Sequence, residues 1–272
     1  MGQPVHLMLF AYTDDHGYEA AARALAELRR VEARLSLFDS ASDLSELNRL
    51  AGKKPLAVDD DLHSVLMASG RFRIQSAGAF NVAVEPLMRV WGFHTPRSSA
   101  PSEGEIREAR EASEVAVISL DDAKAFLPSS HTQLDFGGIG VGYGLDRMAV
   151  VLRGSGIGQA FIDISGDCLA IGAPAGAEGW PVAIVDPCHP GRTLREVRLR
   201  DQALATSANT ESVVHYGRII RGHVMDPATG YPANRKIQAT AIARNGLMAD
   251  ALSTAMLVSG RELAGVEQAV FA

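Results

Sequence analysis

The sequence predicts an α+β fold. Short strand patterns separated by turn formers crowd the second half, while the longer helical patterns gather mainly in the first. Strand and helix do not alternate as they do in a doubly wound parallel sheet, so a mostly antiparallel sheet with helices packed around it is expected. No internal repeat, low-complexity tract or composition break divides the chain, and a single domain over residues 1–272 is expected.

Val5 to Tyr12 has the pattern of a strand. Gly17 to Leu35 has the pattern of a helix, with Tyr18, Ala22, Leu25, Leu28, Val31 and Leu35 at helical spacing. Ser42 or Asp43 can cap a short helix through Asn48, with Gly52 ending it. Asp59 to Ser76 is expected to be helical, with Leu62, Val65, Leu66 and Ile74 inward. Pro86 belongs in the first turn of a helix, because its ring is not tolerated deeper. A Pro/Ser-rich loop over 95–102 precedes a charged helix at Glu103–Ala112. Val115–Leu120, Lys124–Leu127 and Thr132–Asp135 read as sheet edges. Strands are expected at Phe161–Ile164, Leu169–Ile171, Val182–Val185, Leu194–Leu199, Gln202–Thr206, Val213–Tyr216, Arg218–Ile220 and Ala239–Ala243, and a helix at Ala249–Ser259.

Of the 272 residues 47% are hydrophobic and 21% charged, which suits a soluble globular chain. The formal net charge of -6 and the lack of a basic run argue against a nucleic-acid partner. No apolar run reaches the roughly 18 residues of a membrane span. The stretch after Met1 has neither a basic region nor a long apolar one, so a signal peptide is not expected. The sequence as given therefore points to the cytoplasm, with a periplasmic or membrane-attached protein as the alternative if a leader has been removed. Cys168 and Cys188 are too few for a disulfide framework and read as isolated core thiols.

Three clusters could carry chemistry. The first is LDFGGIGVGYGLDRM, residues 134–148, a glycine-dense turn opening an amphipathic helix. Such a turn permits close backbone approach, and N–H groups at a helix entrance suit a phosphate. It fits neither the P-loop, which needs a lysine, nor the dinucleotide fingerprint, because Tyr143 and Leu145 stand where the last glycine should be. A plain tight turn and a ligand cradle both remain open. The second is RGHVMDPATGYP, residues 221–232, a tight loop that either presents His223 and Asp226 at a site or merely bonds to itself. The third is MADALSTAML, residues 248–257. Asp250 and Thr254, four apart, share a helix face among small and apolar neighbours. They suit a hard cation such as Mg²⁺, or else a helix cap and a hydroxyl bonded to its own turn. Cys-x-x-Cys, His-Glu-x-x-His and Gly-x-Ser-x-Gly are absent.

Taken in order, these and further blocks resemble the ApbE family, the FAD:protein FMN transferases. Met1-Gly2-Gln3 is similar to the family's opening Met-Gly-Thr. LSLFDSASDLSELNRL is similar to its serine-rich segment ending in Asn. GAFNVAVEPLMRVWGF matches Gly-x-Phe-Asp…Pro-Leu…Trp-Gly-Phe, and the glycine turn matches Asp-Leu-Gly-Gly-Ile-Ala-Lys-Gly-Tyr-x-x-Asp. ATSAN resembles Thr-Ser-Gly, HVMDPATGYP resembles His-Ile-x-Asp-Pro-x-Thr-Gly-x-Pro, and MADALSTA resembles Ala-Asp-Ala-x-x-Thr-Ala.

The resemblance implies an ApbE-like fold with a flavin cleft. It implies Mg²⁺-dependent transfer of FMN from FAD to a Thr or Ser hydroxyl of a flavoprotein acceptor, with release of AMP. The alternatives are FAD hydrolysis to FMN and AMP in the same pocket, or a non-catalytic FAD-binding or delivery protein. It implies a metal site at Asp250, Thr254 and the Gly138 carbonyl, and cofactor contacts at Phe38, Ala79, Phe80, Asn81, Asp135, Val141 and Val224. His223 would act near the acceptor hydroxyl, and Asp250, through the metal site, is the other catalytic candidate. Several positions depart from the family pattern: Val141 stands for its usual Lys, Asn81 for Asp, Ala208 for Gly, Asn209-Thr210 for an acidic–aromatic pair and Gln3 for Thr.

Overall fold

A computed structural model describes residues 3–114, 119–121, 124–189 and 191–272. Met1 and Gly2 of the expected opening motif, and Val115–Ile118 of the expected Val115–Leu120 strand, lie outside the described residues. Strand β1 (Val5–Leu9) stops short of Tyr12, because Thr13 caps the helix that follows. That helix, α1 (Asp14–Leu35), buries Gly17, Ala20, Ala24, Leu28, Val31 and Leu35. Tyr18 and Ala22, expected on the inner face, are exposed. The buried stripe uses alanines where the helix meets a close neighbour.

Helix α2 (Asp43–Arg49) is capped by Ser42, whose hydroxyl accepts from the Ser45 N–H at 3.0 Å. Strand β2 (Leu56–Ala57) and helix α3 (Asp60–Gln75), capped by Asp59, follow. Leu62, Val65 and Leu66 are buried as expected, but Ile74 is 84% exposed. Two residues past buried Phe72, Ile74 lies about 200° further round the helix. A 3-10 turn at Val82–Val84 leads into α4 (Glu85–Val90), with Pro86 in its first turn, and α5 (Glu103–Glu114) packs beside it. Strands β3 (Ser119–Asp121) and β4 (Lys124–Phe126) complete a small sheet in the order β2-β4-β3.

The expected strand at Thr132–Asp135 is not one. Leu134 gives its N–H to Asn48 Oδ1 at 2.7 Å and its carbonyl accepts from Asn48 Nδ2 at 2.9 Å, so a buried side chain does the work of a neighbouring strand. The Asp135 N–H goes to the Val82 carbonyl at 2.7 Å. The glycine turn then enters α6 (Gly140–Gly154).

The second half supplies β5 (Ala160–Ile164), β6 (Asp167–Ile171), β7 (Trp180–Val185), β8 (Thr193–Leu199), β9 (Ala203–Ala208), β10 (Val213–Tyr216), β11 (Ile219–Gly222), β12 (Met225–Asp226), β13 (Tyr231–Pro232) and β14 (Gln238–Ala243). Helix α7 (Gly246–Ser259), capped by Asn245, starts three residues earlier than its apolar pattern, and β15 (Gln268–Phe271) was not anticipated. The central sheet runs β1-β5-β6-β9-β14-β15, and every pairing is antiparallel. Alternation sorts its side chains. Ile162, Leu169, Ala203 and Ala205 face a core shared with α1 and α6, while Phe161, Cys168, Ala170 and Leu204 face the β7–β8 hairpin. The architecture is α+β, as expected. Both cysteines are free; Cys168 is buried, but Cys188 is exposed rather than a core thiol.

Candidate active site

A cleft of about 510 Å³ opens where the glycine turn, α7, the end of β9 and the 79–82 turn converge. Phe38, Ala79, Phe80, Asn81, Asp135, Gly138, Val141, His223, Val224, Asp250 and Thr254 line it; Asp226 does not, and its carboxylate instead accepts from the Ala228 N–H of its own loop at 2.9 Å. A larger cavity of about 850 Å³ between α4, α5 and residues 129–133 contains none of them.

The floor is a helix crossing. A Cβ on Gly142 would lie 2.2 Å from the Gly246 carbonyl oxygen, and one on Gly246 would lie 2.4 Å from that of Gly142. Only glycine lets α6 and α7 approach so closely. Asp146 tightens the junction by accepting from the N–H groups of Gly246 and Leu247 at 2.7 and 3.0 Å. The contact delivers Asp250 to the glycine turn, where its Oδ2 accepts from the Gly142 N–H at 2.9 Å. Desolvation pushes the Asp250 carboxyl up to about 7. One turn along α7, Thr254 Oγ1 lies 3.0 Å from Ser207 Oγ. A Cβ on Gly138 would meet that same Thr254 hydroxyl at 2.9 Å, so the Gly138 backbone sits directly against it.

Asp250 does not cap its helix, because Asn245 does. Its carboxylate, the Thr254 hydroxyl and the adjacent backbone of Gly138 form an oxygen donor set suited to a hard cation. Among the described residues no three His, Cys, Asp or Glu side chains gather as metal ligands, so the set does not resemble a zinc site. Asp167, which sequence reasoning passed over, also lines the cleft. Burial and the nearby Asp250 hold its carboxyl well above the usual range. A second desolvated carboxyl near Asp250 is costly to ionise without a counter-ion, a need that a hard cation would meet.

The glycine turn is not a free anion cradle. The Gly137 N–H goes to Asp135 Oδ1 at 2.7 Å and that of Gly142 to Asp250, while the Ile139 and Gly140 N–H groups both reach the Phe136 carbonyl, at 3.1 and 2.8 Å. These four donors are occupied within the site, which favours the tight-turn reading over the ligand cradle.

At the other end His94, also missed, lies between two carboxylates: Nδ1 is 3.6 Å from Glu85 Oε1 and Nε2 is 3.4 Å from Asp135 Oδ2. Burial works to lower its pKa, but Glu85 and Asp135 outweigh that and hold it above the usual value. Burial raises Asp135, with His94 pulling the other way. Phe38, 80% exposed, packs edge-on to His94 with ring centroids 5.6 Å apart. Asn81 uses its side chain to brace the turn, accepting from the Ala83 N–H at 3.0 Å and donating to the Ser113 carbonyl at 3.2 Å.

His223 follows β11 and is placed by Asn209. The Asn209 amide donates to the Ala233 carbonyl at 2.6 Å and accepts from the Val224 N–H at 3.0 Å. His223 Nδ1 is buried with no hydrogen-bond partner, and desolvation lowers its pKa. The imidazole is therefore neutral at neutral pH and carries an uncommitted nitrogen.

A sequence model described as the ApbE family matches residues 1–269. The FAD:protein FMN transferase of Treponema pallidum is 30% identical over 253 residues, spanning 86% of this chain and 70% of that protein. The ApbE protein of Thermotoga maritima superposes with a TM-score of 0.87 at 27% identity, covering 95% of this chain and 84% of that one. The flavin transferase ApbE from Vibrio cholerae superposes at 0.81 with 25% identity, over 95% and 84% of the two chains. In sequence and in overall fold the chain belongs to the ApbE family.

Proposed function

We propose that this protein transfers the FMN portion of FAD to a Ser or Thr hydroxyl of a flavoprotein acceptor and releases AMP, with Mg²⁺ as cofactor. The observation that carries the reading is that the Asp250–Thr254–Gly138 donor set and a neutral His223 share one cleft with Phe38 and the 79–81 turn. The named activity of the relatives supports it.

Held by Asp250, Thr254 and the Gly138 carbonyl, Mg²⁺ would neutralise charge on the phosphate oxygens. The remaining work belongs to side chains. Phe38 and the 79–81 turn hold the flavin end, and Thr254 is itself held by Ser207. The acceptor oxygen attacks the phosphorus of the FMN half. A new O–P bond forms, the P–O bond to AMP breaks, and the hydroxyl proton passes to His223. Phosphoryl transfer asks mostly for positioning and charge neutralisation, and these residues supply both.

Incubation with FAD, Mg²⁺ and a Ser/Thr acceptor protein tests the reading. AMP release that needs the acceptor, with an FMN-sized mass increase on it, is expected. AMP release without an acceptor would instead make the protein an FAD hydrolase. Tight FAD binding without turnover would leave only a delivery role.

A further inference from the structure

We infer that a basic groove beside the cleft, centred on Arg235, is the docking site for an extended acidic segment of the flavin acceptor, next to the hydroxyl that receives FMN. The inference rests on the proposed function for the existence of that acceptor. Arg73 from α3, together with Arg235 and with Arg261 just beyond α7, lines a cavity of about 400 Å³. A neighbouring cavity of about 580 Å³ shares Arg235, Asp226 and Val258 with the first and adds Arg221 and Lys236. A Cβ on Gly260 would lie 3.3 Å from Arg235 Cβ, so the end of α7 packs against the stem of that arginine.

The cations of this groove are little used within the fold. Among the described residues Arg235 and Arg261 have neither a carboxylate partner nor a side-chain hydrogen bond. Arg73 donates to the Glu114 carbonyl at 3.4 Å, and Arg221 to the Ile220 carbonyl at 3.2 Å. Lys236 stands 5.3 Å from the centroid of the Phe271 ring. Two acids also line the groove, but both are engaged elsewhere. Glu114 pairs with Arg110 at 3.5 Å, and Asp226 accepts from the Ala228 N–H at 2.9 Å. Carboxylates supplied from outside suit the planar fork of a guanidinium. Clustered arginines reading an acidic peptide are a recurrent recognition mode.

Position selects the acceptor over FAD as the occupant. Ala79, Asn81 and Pro227 line both the groove and the cleft, so the two meet there. The loop that carries His223 continues through Asp226, Pro227 and Ala228 into the groove wall. Gly138, Asp250 and Thr254, the donor set for the cation, do not line the groove. A diphosphate on that cation would therefore lie in the cleft, while a polypeptide along the groove carries its hydroxyl towards His223. The cleft itself presents Glu211 and, among the described residues, no Lys or Arg, so it favours the neutral hydroxyl and leaves the carboxylates outside. Arg235 and Arg261 are exposed, open to a macromolecule.

Fluorescence anisotropy of a fluorescein-labelled peptide of alternating Asp and Gly, added to the full chain at about 0.15 M salt so that long-range attraction is screened, tests this. The peptide is expected to bind about tenfold or more tightly than its Asn/Gly counterpart. Arg235→Gln combined with Arg261→Gln should weaken it about tenfold, and both side chains are exposed, so the core is untouched. Arg195→Gln combined with Arg198→Gln removes the same charge from β8, which lines neither groove nor cleft, and should change binding less than about twofold. Calorimetry should give the same FAD affinity for both double variants and the unaltered protein. Equal binding of the two peptides, or an equal loss in the β8 variant, overturns the inference and leaves the proposed function standing. Weaker FAD binding in the Arg235/Arg261 variant assigns those arginines to the dinucleotide and overturns it too. An Asp-selective groove on a chain that binds no FAD overturns the proposed function, and with it the acceptor as the partner.

Discussion

His223 and Asp250 are both desolvated, and burial moves them in opposite directions: it disfavours the imidazolium and the carboxylate alike, lowering one pKa and raising the other. For His223 the consequence is kinetic. A base must be unprotonated, so kcat/KM should fall on acidification with a midpoint below the ordinary 6.5 of histidine. His223→Ala should lower kcat by about 10²–10⁴-fold, remove that acid limb, and leave FAD affinity nearly unchanged. A loss confined to KM would contradict the role. The stability sign agrees: the unfolded chain takes up a proton at His223 before the folded one does, so stability is fully present above about 6.5 and lost as pH drops towards the lower folded value. Asp250→Ala should abolish Mg²⁺-dependent turnover while circular dichroism stays that of the wild type. The candidates at this scale were legible because each sits in a block of characteristic neighbours, such as Asp250 and Thr254 at helical spacing. His94, Asp167 and Glu211 were not, because nothing in their local sequence foretells which distant groups will surround them.

Among the elements, the α6–α7 crossing does most to build the site. Gly142→Ala would push a methyl group into the Gly246 carbonyl and within 2.7 Å of Asp250 Cβ. The neighbours are backbone and cannot rotate away, so a loss of about 3 kcal/mol is expected, or roughly 6–12 °C in melting temperature. Turnover in the surviving folded fraction should fall as well, since the same clash displaces Asp250. A melting temperature within about 1 °C of wild type would show that the crossing is looser than the structure has it. Periodicity found these helices and most of the strands. It failed at Thr132–Asp135, where Asn48 replaces a strand partner from 86 residues away. It also misjudged faces: Tyr18 and Ile74 turn outward, because close helix contacts favour alanine and serine over bulk and hydrophobicity alone does not mark the packed stripe.

Over the whole molecule the cleft gathers segments from Gln3 to Thr254, so no part of the chain holds it alone. A ligand bound there links the glycine turn, β9, the His223 loop and α7. At about 100 times its Kd, FAD with Mg²⁺ should add about 2.7 kcal/mol to stability, raising the melting temperature by roughly 5–10 °C. Hydrogen exchange should slow in those same four segments together. Protection limited to one of them would place the ligand elsewhere. The α+β class was readable from the grouping of strands. The cleft was not, since it depends on which strand ends and helix entrances meet across the central sheet.

The two thiols differ in a way that serves experiment. Cys168 lies inside, and burial pushes its pKa well above the ordinary thiol value. Cys188 stands in the open on the β7–β8 connection, outside the set of residues that line the cleft. A maleimide dye should therefore attach at one position on the unaltered protein, giving a reporter for following partner capture in real time.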